Sequence, residues 1–144
     1  MDGIPESVSI LIAGYVMSRK CFVCHLLNML QLSPDGLELF GKPIEFVWVQ
    51  GIVTNLSVEL QQMSVDDGTG CIAVISGPEK ISEFTELKVG DYVLLQGSVS
   101  KGEDEVSGVE MVVLEARIVS PIKNPNMETL WMLEVLEGIA RSCL

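Results

Sequence analysis

Residues Cys21-Phe22-Val23-Cys24-His25 spell C-x-x-C-H, the pattern through which c-type haem is attached. The same three ligating side chains are also three of the four that a structural zinc site requires. The fourth would have to come from Cys71 or Cys143, far along the chain. Covalent haem belongs to proteins matured in oxidising compartments after export. Residues 8–17 are apolar enough to imitate an export signal, but Asp2 and Glu6 stand where positive charge belongs. That run is also too short to span a bilayer. The segment is therefore expected to pack in a core or an interface. Its cysteines then stay reduced and act as small apolar side chains.

Other catalytic chemistry has little to work with. His25 is the single histidine, so any Ser-His-Asp arrangement would have to use it. No G-x-S-x-G elbow, Walker loop or G-x-G-x-x-G turn occurs. Glu103, Asp104 and Glu105 form an acidic run with no defined ligand geometry, which reads as solvated surface. The expectation is a protein without catalytic residues, cofactor or metal.

Charge narrows the partners. The chain has 144 residues, nine basic and twenty acidic, for a formal net charge of −11. Nucleic-acid binders draw most of their affinity from Lys and Arg neutralising phosphates. Over residues 44–120 four basic residues (Lys80, Lys88, Lys101, Arg117) face thirteen acidic ones, leaving −9 and no basic stripe. Direct nucleic-acid binding by this chain alone is not expected, nor is attraction to an anionic membrane surface.

The elements that would carry a site follow from the punctuation. An arm, residues 1–43, is expected to pack on the rest of the chain or on a partner. Its residues 20–32 suit a strand or a short helix, and Ser33-Pro34-Asp35-Gly36 is a turn. A short strand is possible at 37–40. Strands are expected at 44–56, 60–65, 71–76, 92–99 and 109–119, the second and third joined by the tight turn Asp66-Asp67-Gly68-Thr69-Gly70. Gly51 marks a bend in the first. Ile81, Phe84 and Leu87 suggest a helical turn within 79–87, and residues 100–108 a hairpin loop. Three strands, a helical connection and two strands is the order of an OB-fold, a five-stranded Greek-key barrel. An SH3-like barrel suits the helical insert less well. The expected architecture is mainly β: a barrel over 44–120 and a C-terminal α-helix within 121–144.

That helix, expected at 125–140, can be capped by Asn124 or Asn126 and carries Pro125 in its first turn. Met127, Trp131 and Val135 form one apolar stripe at i, i+4, i+8. Leu133, Leu136 and Ala140 fall on another side. A helix apolar on nearly every side must be buried on more than one. The expectation is that Met127, Trp131 and Val135 meet a partner while Leu133, Leu136 and Ala140 point to the barrel. A chain with such a helix is expected to self-associate alone and to behave well with its partner.

Several segments resemble the RecQ-mediated genome instability protein 2 family. They are Val47-Trp48-Val49-Gln50-Gly51, the turn at 66–70, Val89-Gly90-Asp91-Tyr92-Val93 with Gln96-Gly97, and above all residues 124–135, NPNMETLWMLEV. The resemblance covers residues 20–141. It implies an OB-fold heterodimer with the larger RecQ-mediated genome instability protein 1, joined to topoisomerase III alpha and the Bloom-type RecQ helicase. That assembly dissolves double Holliday junctions in the nucleus. The resemblance also places Lys20 at the partner surface. Two other classes stay open from the residues alone: a different OB-fold subunit such as that of a replication protein A-like complex, and a weak single-strand binder.

Overall fold

The computed structural model describes residues 18–32, 38–39, 42–77, 82–104 and 106–142. The turn at residues 33–36, the apolar run before Ser18, Lys80, Ile81 and Cys143 lie outside them. Strand β1 (Ser18–Lys20) leads into helix α1 (Val23–Leu32). Strands β2 (Glu38–Leu39) and β3 (Lys42–Pro43) pair as a small antiparallel ribbon. Strands β4 (Phe46–Ser57), β5 (Gln62–Asp66) and β6 (Cys71–Ser76) come next. A short 3-10 helix (Ser82–Glu86) precedes β7 (Tyr92–Glu103) and β8 (Glu110–Pro121), and α2 (Asn126–Ser142) follows.

Five strands close on themselves. The N-terminal half of β4 pairs antiparallel with β7, and its C-terminal half with β5. β5 pairs with β6, β6 runs parallel to β8, and β8 returns along β7. This is the five-stranded OB barrel. β4 serves both sides, with the two pairings meeting near Gly51 and a register shift against β5 between Val53 and Asn55. A Cβ at Gly51 would lie 2.7 Å from Val65 Cγ1 and 2.8 Å from the Asp66 carbonyl oxygen. β1 adds in parallel to the free edge of β4, with Lys20 opposite Trp48.

Strand alternation fills the barrel. Val47, Val49 and Val53 of β4, Val93 and Leu95 of β7, and Val112 and Leu114 of β8 are buried. So are Met63, Val65, Ile72 and Val74 on the opposite wall. Two plugs seal the open ends. α1 contributes Val23, Leu26 and Met29, and the 3-10 helix contributes Phe84, with Leu87 just beyond it.

The hairpin turn between β5 and β6 has a second task. Val23 N–H donates to Asp67 Oδ2 at 2.7 Å, and Cys24 N–H donates to Thr69 Oγ1 at 3.0 Å. These are orphan donors of the first turn of α1, capped by residues 44 and 45 positions away. Gly68, at φ +90°, lets the turn fold back so that Thr69 faces the helix. Thr69 is held in turn by Asp67 Oδ1, which accepts its N–H and its hydroxyl. Asp67→Ala removes the cap and is expected to cost about 1 to 2 kcal/mol of stability, read as a lower urea midpoint.

Candidate protein-docking site

The C-x-x-C-H segment runs from the end of β1 into α1, with Cys21 buried and Cys24 and His25 half-buried. Cys21 is fully buried, and burial pushes its thiol pKa far up, with Asp67 and Cys24 adding to the effect. His25 Nδ1 accepts the Phe22 N–H at 3.1 Å, and the two rings stack at 5.5 Å. Among the described residues, no group of His, Cys, Asp and Glu could hold a metal ion. Burial lowers the pKa of His25 below 6.5, against an opposing pull from Asp67. The folded state therefore prefers the neutral ring, whose Nδ1 can accept. The stability this gives is complete above pH 6.5 and is lost as pH falls through the lower folded value. A pH series of thermal melts should show this fall, and His25→Gln should remove that component.

The surface that oligonucleotide-binding OB-folds use is their second and third strands with the flanking loops. Here the outward positions of β5 and β6 are Gln62, Ser64, Asp66, Cys71, Ala73 and Ile75. None is aromatic or basic. The loop at 58–61 and the described part of the loop at 104–109 carry no cation. The strand aromatics lie elsewhere. Phe46 sits beneath the Arg117 guanidinium at 4.9 Å, and Trp48 and Tyr92 are half-buried on β4 and β7.

The large exposed apolar surface is on α2. Its N-terminus is set by Asn124, whose Oδ1 accepts the Asn126 N–H at 3.0 Å and whose carbonyl accepts the Met127 N–H at 3.1 Å. Glu128 in the first turn and Arg141 in the last complement the helix dipole. Among the described residues, no helix is long and apolar enough to cross a membrane.

The structure reverses the expected division of this helix. Trp131 is 4% exposed and Val135 is fully buried, with Met127 half-buried one turn earlier. That stripe faces its own chain. Leu133 and Leu136, expected against the barrel, are 59% and 54% exposed, and Ala140 is exposed with them. Leu130 and Met132 widen the outer patch. The reason is β1. This short strand gives α2 a seat on the outside of the barrel, where the Lys20 ammonium lies 5.8 Å above the Trp131 ring and pairs with Glu134. Trp131 and Val135 are buried yet stand apart from the barrel core, as a second small apolar cluster. Of the residues expected at the site, Lys20 and Trp131 thus meet, while Val135 is buried and Met127 half-buried on the same side of the helix. The part played by Glu134 and the outward aim of Leu133 and Leu136 had no separate signal in the sequence.

The fold has many relatives. A chain of a replication protein A heterotrimer bound to single-stranded DNA superposes with a TM-score of 0.70 at 21% identity, covering 88% of this chain and 98% of that one. The yeast Stn1 and Ten1 structure gives 0.66 at 14% identity, covering 94% and 80%. The S. pombe Stn1–Ten1 complex gives 0.58 at 16% identity, covering 73% and 78%. At these identities the likeness establishes the OB-fold. A search of curated protein sequences finds no match. The model of the RecQ-mediated genome instability protein 2 family matches residues 26–139, from within α1 through most of α2, and the chain belongs to that family.

Proposed function

We infer that this chain is a non-catalytic subunit of a nuclear DNA-repair assembly, paired with the OB-fold of a larger partner through the outer face of α2. The carrying observation is the stripe of Leu133, Leu136 and Ala140, flanked by Leu130 and Met132 and left in solvent. A contiguous apolar patch of this kind on a well-seated helix marks an interaction surface. Lys20, Met127, Trp131 and Val135 act from beneath it by fixing the angle of the helix. Family membership points to RecQ-mediated genome instability protein 1 as the partner. Topoisomerase III alpha and the Bloom-type RecQ helicase complete the assembly, whose task is dissolving double Holliday junctions.

The test is affinity capture from nuclear extract on the tagged chain, with bound proteins identified by mass spectrometry. Recovery of the larger OB-fold subunit together with the topoisomerase and the helicase supports the reading. Recovery of replication protein A subunits in their place would move the chain to a different complex. On its own the chain is expected to show no saturable binding to single-stranded or duplex DNA at physiological salt. A fluorescence-anisotropy titration checks this. Binding that weakens steeply as salt rises would contradict it.

A further inference from the structure

Strand β4 carries a polar side chain that is buried on the outside of the barrel. Alternation turns Val47, Val49 and Val53 inward and leaves Phe46, Trp48, Gln50 and Ile52 outward. Ile52 is 45% exposed, as an outward residue should be, yet Gln50 is 3% exposed. Its cover therefore lies over Gln50 and stops short of Ile52. The strand register identifies that cover. On one edge of β4, Ile52 pairs with Tyr92, Gln50 with Leu94 and Trp48 with Gln96; on the other, Trp48 pairs with Lys20. The lead-in to α2 starts at the Tyr92 level, where Ile122 N–H donates to the Tyr92 carbonyl at 2.8 Å. The helix then reaches the Lys20 level, where the ammonium lies 5.8 Å from the Trp131 ring and pairs with Glu134. Between these two levels α2 crosses Gln50. The chain leaving β1 walls the same place from the side, since Cys21 N–H donates to the Trp48 carbonyl at 3.1 Å.

Two buried atoms of this contact have no hydrogen-bond partner among the described residues: Gln50 Oε1 and Trp131 Nε1. They are of opposite sense. The amide oxygen can only accept, and the indole N–H can only donate. No direct bond joins the two. An unmet buried group costs more than a met one returns, so both call for a partner. The layer beneath the helix is not tightly closed, because Trp48, Leu94 and Gln96 around Gln50 are half-buried. We infer that one buried water is held beneath α2, accepting the Trp131 indole N–H and donating to Gln50 Oε1. Two polar partners are enough to hold such a water. It adds a directional tie to the apolar burial of Trp131 and Val135, and it makes Gln50 a positioning residue for the helix. The site rests on how α2 is seated and not on what its outer face meets.

The test is a double-mutant cycle on the full chain with two nearly isosteric changes. Gln50→Met removes the acceptor, and replacement of Trp131 by benzothienylalanine exchanges the indole N–H for sulfur. Each change alone leaves the water short of a partner and should lower the folding constant about fivefold or more in urea unfolding. Together they should cost about tenfold less than the product of the two. Atoms that are simply unmet give the opposite sign: each change would raise the folding constant and the effects would multiply. That result, or two single variants as stable as the parent, would overturn the site. The water itself is read by NMR, as a dipolar cross-peak between the Trp131 indole proton and water, present in the parent and lost in Gln50→Met. Coupled variants without that cross-peak would mean a direct bond and overturn the water. Leu133→Glu, which tests the outer face, should leave the cross-peak in place, so the docking surface and the water site fail separately.

Discussion

Leu133→Glu combined with Leu136→Glu is expected to lower partner affinity by roughly thirty- to a thousand-fold while leaving the melt of the isolated chain nearly unchanged. Both side chains are more than half exposed, so the folded monomer loses little burial when they change. In a complex they would lie at the centre of the helix face. Truncating a central apolar contact there often costs about 2 to 4 kcal/mol. The chain is already strongly acidic, so Leu133→Lys is the control: desolvation of a buried charge should impair docking with either sign. Trp131→Ala should behave differently. Its indole is buried on its own chain, and its loss should destabilise the folded protein by about 3 to 5 kcal/mol. Isothermal titration with the partner and circular-dichroism melts of each variant separate the cases. A double glutamate variant that binds normally would remove the outer stripe from the interface. A stable Trp131→Ala variant would show that this buried side chain is not what holds α2.

Gly97→Ala is expected to be the most damaging single methyl in the barrel. A Cβ at Gly97 would lie 2.0 Å from the Glu115 carbonyl oxygen and 2.9 Å from the Ala116 Cα. Both are backbone atoms of the neighbouring strand. They can move only by breaking the β7–β8 pairing, whose register already shifts between Gln96 and Gly97. The cost should reach about 4 kcal/mol or more, a large share of the roughly 5 to 15 kcal/mol that holds such a domain together. Gly138→Ala is the contrasting case. It lies on the helix with nothing within 4 Å of the added Cβ and should gain up to about 1 kcal/mol from helix propensity. Urea unfolding of the two variants gives the comparison. A Gly97→Ala midpoint equal to the parent's would mean the strand pairing tolerates a shift that the backbone contacts forbid.

The barrel was legible because its strands are short apolar runs with clear stops. Gly70 and Gly77 bracket β6, which spans Cys71–Ser76 as read from the sequence. β7 runs further than expected, to Glu103, and β8 spans Glu110–Pro121 where 109–119 was expected. Beyond Val99 its residues leave the barrel and lose the alternation that marks a half-buried strand, so the sequence reads as loop. Residues 20–32 left strand and helix open. They form mostly helix, and the contacts that decide it come from Asp67 and Thr69, distant in the chain. The helix α2 showed two apolar sides, but its periodicity carries no information on which side the barrel takes. That was decided by β1, a three-residue strand too short to leave a pattern, and by Lys20 meeting Glu134 across 114 positions. An OB-fold is used by many binding proteins, so the fold narrowed the function only as far as binding. Charge, the bare β5–β6 face and the leucines of α2 carried the choice of a protein partner.

As inferred above, the chain works as one half of an OB-fold heterodimer. The most direct measurement is multi-angle light scattering on the chain co-expressed with RecQ-mediated genome instability protein 1, eluted from a sizing column at physiological salt. The expected result is a single species with the mass of one copy of each chain, replaced by separated subunits when Leu133→Glu and Leu136→Glu are introduced. Two independent peaks for the unaltered pair, or a complex indifferent to the double glutamate variant, would contradict it.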